Sequence, residues 1–206
     1  MTGFHSDRHK RDSLDDWYTH PIGAMLLEYE LALVNQILAT LYGYYLLQPS
    51  VPNVFLQRYT ETVVQGITVH CPDPSVFSDK PTFWGENQAL PILSNTIDLV
   101  LLPHVVEFAA CPDQMLQEYY RVLKPDGYLI ILGFNPYSLF GLYRFLGRRK
   151  LKYPWGGKFL AKNYLLNCLQ DLSCKVNQTQ SYGFYYPGLK QNAAPYAKKI
   201  EQFAQR

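Results

Sequence analysis

Ile97-Asp98-Leu99-Val100-Leu101-Leu102, then Pro112 to Leu123, then Tyr128 to Phe134 form the passage on which the architecture turns. The first stretch is nearly continuous apolar sequence, as a strand covered on both faces requires. In the second, Met115, Leu116, Tyr119, Val122 and Leu123 recur at helical spacing behind Pro112, which suits a first helical turn. Lys124-Pro125-Asp126-Gly127 closes that helix with a cation at the negative end of its dipole and then a breaker. The third stretch is a second buried-strand run. Strand, helix of about three turns, strand is a crossover unit, and its two strands pair in parallel. The expectation is an α/β protein with a mostly parallel sheet and helices on both faces.

On the N-terminal side, Leu27, Leu31, Val34, Leu38 and Leu41 mark an amphipathic helix over Met25 to Leu41, with Glu28, Glu30, Asn35 and Gln36 assigned largely to its polar side. Tyr44 to Leu47 reads as the first strand and stops at Gln48-Pro49-Ser50-Val51-Pro52. Asn53 to Arg58 suits a short helix. Thr62 to His70 reads as the second strand, closed by Cys71-Pro72-Asp73-Pro74. On the C-terminal side come a mixed helical stretch (Pro136 to Leu146), a helix (Leu160 to Leu172), a strand (Cys174 to Phe184) and a last helix (Ala194 to Gln205). Residues 1–22 read as a polar tail, and residues 23–206 as a single domain.

Composition narrows the class. The 206 residues are 48% hydrophobic and 17% charged, which fits one globular domain and excludes wholesale disorder. The four cysteines lie too far apart for a C-x-x-C metal or redox motif and read as buried apolar residues; no metal site is expected. Met1 to Asp16 has no apolar core of a secretory signal, and no stretch is long and apolar enough to span a membrane, so the reading is a cytoplasmic protein. Positive charge concentrates in one place. Arg144, Arg148, Arg149, Lys150, Lys152 and Lys158 fall in a segment without acids, interleaved with Tyr143, Phe145, Tyr153 and Trp155. A solvated loop is the favoured account of that segment; contact with nucleic acid or membrane through Arg144, Arg148, Arg149 and Lys150 is the weaker alternative.

In an open parallel sheet, ligands bind beyond the carboxyl ends of the strands. That rule selects Gln48 to Asn53, Pro103 to Phe108 and Asn135 to Ser138. His104 is the candidate general base there, since imidazole titrates near neutral pH. For Glu107, a helical first-turn acid near the positive dipole end is the plainer account, and a pocket carboxylate is the alternative.

Gly85-Glu86-Asn87-Gln88-Ala89-Leu90-Pro91-Ile92, then Asn95-Thr96-Ile97-Asp98-Leu99-Val100, then Arg121-Val122-Leu123-Lys124-Pro125-Asp126-Gly127, resembles the linked central motifs of class I S-adenosylmethionine-dependent methyltransferases. The branch it is most similar to contains small-molecule and quinone-biosynthesis enzymes, whose motifs read D-A-E-A-L-P-F, F-D-x-V and L-K-P-G-G. The resemblance implies a Rossmann-like methyltransferase sheet, S-adenosylmethionine as cofactor and a small-molecule acceptor. It further implies Glu86 and Asn87 beside the adenine, and Leu102, Pro103 and His104 along the methionine end, with Gln48 at the first strand end. Asn135 and Tyr137 are the acceptor-side candidates. The sequence departs from the family at three points. The acidic residue that ends the family's second strand is missing, Asp73 lying beyond Pro72. The loop after the first strand carries two prolines and no glycine, and the chain offers no candidate seventh strand. These departures keep a second expectation open, a catalytically inactive methyltransferase-like binding module, with a homodimer as one form.

Overall fold

A computed structural model describes residues 17–49, 65–70, 82–137 and 157–182 of the chain. Helix α1 covers Pro21–Leu38 and leads into strand β1, Tyr45–Pro49. Strands β2, Gln65–His70, and β3, Thr82–Trp84, follow. Then come β4, Ile97–Pro103, a short 3-10 turn, Val106–Phe108, helix α2, Pro112–Val122, strand β5, Leu123–Leu132, and helix α3, Lys162–Asp171.

The strands form one sheet in the order β3-β2-β1-β4-β5, and every pairing is parallel. Strand order therefore reverses between β1 and β4, which places a crevice beyond their carboxyl ends. One face is covered by α1: Leu26, Leu27, Leu31, Val34 and Leu38 pack with Leu46, Leu99, Leu101, Leu132 and Phe134. The other is covered by α2, with Met115, Leu116, Tyr119 and Val122 against Leu47, Val100 and Leu102, and α3 adds Leu165 and Cys168. Helices on both faces explain why β4 tolerates no polar side except Asp98. Ile97 and Leu99 fall in opposite clusters, although residues two apart share a face of a regular strand; the register breaks between them.

That break gives Asp98 its place. Its carboxylate accepts the backbone N–H groups of Tyr44 and Tyr45, at 3.1 and 2.9 Å, and the Lys124 ammonium at 2.6 Å. The Asp98 of the F-D-x-V-like motif is thus a clamp joining the entries of β1, β4 and β5. Gly43 allows it, because a Cβ there would stand 2.9 Å from the Asp98 Cβ.

Several expectations need correction. Residues 17–22 are part of the fold and not tail: Tyr18 is buried and α1 starts at Pro21. Helix α2 ends at Val122, and Leu123 is already extended, pairing with Ile97. Residues 174–182 form no strand. Cys111 is exposed, and Cys168 and Cys174 are half-buried, so these three are not simple core residues; the Cys168 Sγ donates to Asp113 on α2 instead. The helices read at Asn53 to Arg58 and Ala194 to Gln205, most of the stretch read from Pro136 to Leu146, Cys71, and Arg144 to Lys152 lie outside the described residues.

Burial raises the pKa of Asp98, but the Lys124 bond and the two backbone N–H bonds outweigh it and hold the carboxyl below its ordinary value. Its contribution to stability is then present above the ordinary carboxylate range and fades as pH falls through the lowered value. Asp98→Ala strands three donors and is expected to lower the unfolding free energy by about 2 kcal/mol in urea titrations at pH 7. That deficit should shrink when the titration is repeated at pH 3.

Candidate functional site

The buried polar and charged side chains among the described residues are Glu30, Gln48, His104 and Glu107. Glu30 comes from the middle of α1, Gln48 from the end of β1, His104 from the first position after β4, and Glu107 from the 3-10 turn. Leu46 packs toward α1, so the alternation of a strand carries Gln48, two residues on, to that same face.

His104 is the centre of a connected network. Its Nε2 lies 2.9 Å from Glu30 Oε1, and its Nδ1 lies 3.6 Å from Glu107 Oε1. The Tyr18 hydroxyl donates to Glu30 Oε2 at 3.1 Å, and the Phe134 N–H donates to Glu107 Oε1 at 2.6 Å. The imidazole stacks on the Phe134 ring at 4.1 Å. His104 adopts a left-handed backbone with φ 51°, while its own N–H still reaches the Leu132 carbonyl at 2.9 Å. A non-glycine residue holds that conformation only when its surroundings over-determine it.

Burial by itself would lower the imidazole pKa, but the Glu30 carboxylate and then Glu107 outweigh it and raise the value from 6.5 to about 10. At neutral pH, His104 is an imidazolium that is 1% exposed. A general base must be unprotonated and within reach of its proton, so this placement does not suit the base role expected from sequence. Three buried polar groups among the described residues lack a hydrogen-bond partner: the Gln48 amide, at both its oxygen and its nitrogen, Glu107 Oε2, and His104 Nδ1, which only faces Glu107 Oε1 at 3.6 Å.

The other sequence candidates lie around the same sheet. Leu102 and Pro103 are buried, Leu102 within the α2 cluster. Glu86 is exposed on a turn closed by its bridge to Ala89. Asn87 is half-buried, and its Oδ1 accepts the Tyr119 hydroxyl at 2.9 Å. This turn is bound to α2 at two more points. Glu118 accepts the Leu90 N–H at 2.7 Å, and Arg121 donates to the carbonyls of Leu90 and Ile92. Asn135 and Tyr137 are exposed just beyond β5, where Asn135 Oδ1 accepts the Tyr137 N–H at 2.9 Å. A cavity of about 810 Å³ lies elsewhere, between α2 and the end of α3, lined by Gln88, Gln114, Arg121 and Asp171 among others.

Sequence reasoning assigned Glu30 to the polar side of α1 and ranked a pocket role for Glu107 second to a helix-end role, whereas both are buried. The signal for Glu30 was present: Leu26, Leu27, Glu30, Leu31 and Val34 form one helical stripe, so an acid at position 30 had to enter the interior.

The profile of the methyltransferase domain family matches residues 70–131, from the end of β2 through β3, β4 and α2 into β5. Over that segment the chain is similar to the class I S-adenosylmethionine-dependent methyltransferases. It is 32% identical over 87 residues to the uncharacterized protein YafS of Escherichia coli, covering 42% of this chain and 36% of that protein. It is 28% identical over 109 residues to the ubiquinone/menaquinone biosynthesis C-methyltransferase UbiE of a Ruegeria species, covering 48% of this chain and 44% of the enzyme. These matches thus span less than half of the curated relatives. Among solved structures, a chain of a Haloferax volcanii complex containing the Trm112 methyltransferase activator superposes with a TM-score of 0.62 at 14% identity, covering 93% of both chains. A SAM-dependent methyltransferase of Archaeoglobus fulgidus gives 0.58 at 16% identity, over 87% of this chain and 85% of that one. The methyltransferase Rossmann-like architecture is thereby established, and no helix among the described residues is long and apolar enough to cross a membrane.

The raised histidine pKa has a measurable consequence. Its stabilisation is fully present below pH 6.5 and is lost as pH rises toward 10, in total on the order of a few kcal/mol. Urea titrations should show stability falling across that window. Glu30→Gln is expected to flatten the slope and to remove about 3 kcal/mol at pH 7; equal slopes in the two proteins would mean that His104 is neutral.

Proposed function

We propose that this domain binds S-adenosylmethionine at the carboxyl edge of β1 and β4 and transfers its methyl group to a small-molecule acceptor. The observation that carries the reading is the unpartnered, buried amide of Gln48 at the strand-order reversal of a methyltransferase sheet. A buried amide without partners is costly, and a polar ligand at that edge removes the deficit. The residues at the edge fit such a ligand: Gln48 offers donors and an acceptor, Glu107 offers a free carboxylate oxygen, and Glu86 stands exposed at the position the family uses beside adenine.

When bound, S-adenosylmethionine supplies a methyl group already activated by its positively charged sulfur. The chain's task is therefore placement. The network of Tyr18, Glu30, His104 and Glu107 fixes the backbone after β4, so Leu102, Pro103 and His104 contribute a rigid wall through their main chain. Asn135 and Tyr137, exposed beyond β5, are the acceptor-facing pair. No protein base is assigned, because His104 is already protonated; an acceptor that loses a proton releases it to water.

A second reading, a methyltransferase-like binding module without catalysis, is favoured by the proline-bearing and glycine-free sequence Gln48-Pro49-Ser50-Val51-Pro52-Asn53. Calorimetry with S-adenosylmethionine and S-adenosylhomocysteine separates the two. Saturable binding with label transfer into a small-molecule extract supports the enzyme, binding without transfer supports the module, and no binding at millimolar ligand rejects both as cofactor proteins. Glu86→Ala is expected to weaken donor binding about tenfold, with an unchanged melting temperature because that side chain is exposed.

A further inference from the structure

The four buried polar residues are not balanced in charge. Two carboxylates, Glu30 and Glu107, stand against one imidazolium, His104. Glu30 is fully engaged, with His104 on one oxygen and Tyr18 on the other. Glu107 is engaged on one oxygen alone; among the described residues Oε2 has no partner, and the neighbours packed on this residue include Gly133 and Gly157, where an added Cβ would come within 3.1 Å of Glu107 atoms. Gln48 lies on the same sheet face at the same edge, 1% exposed, with neither amide atom bonded among the described residues.

We infer that Glu107 and Gln48 form a charge-selective ligand element, which favours a cationic sulfonium donor over the neutral thioether that remains after its methyl has left. This inference rests on the donor reading above and adds the discrimination between donor and product. The reason is electrostatic. A buried carboxylate is poorly screened, so its field acts on a ligand charge across several ångströms without direct contact. The amide carries no net charge and serves donor and product equally by hydrogen bonding. The two residues therefore have separable effects. Gln48 sets how tightly either ligand binds; Glu107 sets the ratio between them.

The test is calorimetric titration of the full chain with S-adenosylmethionine and, separately, with S-adenosylhomocysteine. Glu107→Gln should lower the donor-to-product affinity ratio by about fivefold. Gln48→Leu should weaken both ligands about tenfold and preserve the ratio. Gln48→Glu, which adds a negative charge on the same face, should raise the ratio. A ratio unchanged in folded Glu107→Gln overturns the charge assignment and leaves donor binding standing. If wild-type protein binds neither compound at millimolar concentration, both the assignment and the donor reading fall. Should Glu107→Gln not fold, Gln48→Glu decides, and a ratio that stays or falls overturns the inference.

Discussion

A protonated histidine held between two glutamates inside the protein is the constraint on which the carboxyl edge of this sheet depends. His104 draws its Glu30 partner from α1 and its Glu107 partner from the turn after β4, and the Glu107 carboxylate in turn holds the backbone of Phe134 after β5. Three separate segments are thus tied at one point. Buried ions of this kind are tolerated only as a set, since removing one leaves an uncompensated charge in a medium of low polarity. The left-handed backbone of His104 is part of the same arrangement, because strain at a single residue persists when several contacts enforce it.

The opposite edge of the sheet is organised by a smaller version of the same principle. Asp98 gathers two backbone N–H groups and an ammonium, and so joins the start of β1 to β4 and β5. On the α2 side, Glu118 and Arg121 bind the backbone of the turn that precedes β4, and Tyr119 binds Asn87. Residues that read as family motifs are therefore in good part clamps. They hold the loops at fixed positions so that the crevice between β1 and β4 keeps its shape. Electrostatics at both edges and apolar packing on both faces thus divide the work of the fold.

The apolar runs at Ile97 to Leu102 and Tyr128 to Phe134, and the helical stripe from Met115 to Leu123, were legible because burial on two faces leaves few sequence alternatives. The strand read at Cys174 to Phe184 was not realised over residues 174–182, where a β-like composition had no neighbouring strand to pair with among the described residues. Gln48 was legible as an end-of-strand residue, but its unsatisfied amide was not, since partners are a property of space and not of order along the chain. His104 was legible as the residue that follows β4, but its charge state was not. An isolated imidazole titrates near neutral pH; this one sits against a carboxylate from a helix 74 residues earlier in the chain.

By itself, then, the sequence determined a parallel α/β layer, the position of its carboxyl edge and linked motifs similar to those of methyltransferases, because each of these depends on local periodicity or short spacing. Only the tertiary structure decided which polar residues enter the interior, which of them carry charge there, and which are left without a partner. Those outcomes depend on distances between segments far apart in the chain, where desolvation and Coulomb attraction compete and neither is written in any single stretch of residues.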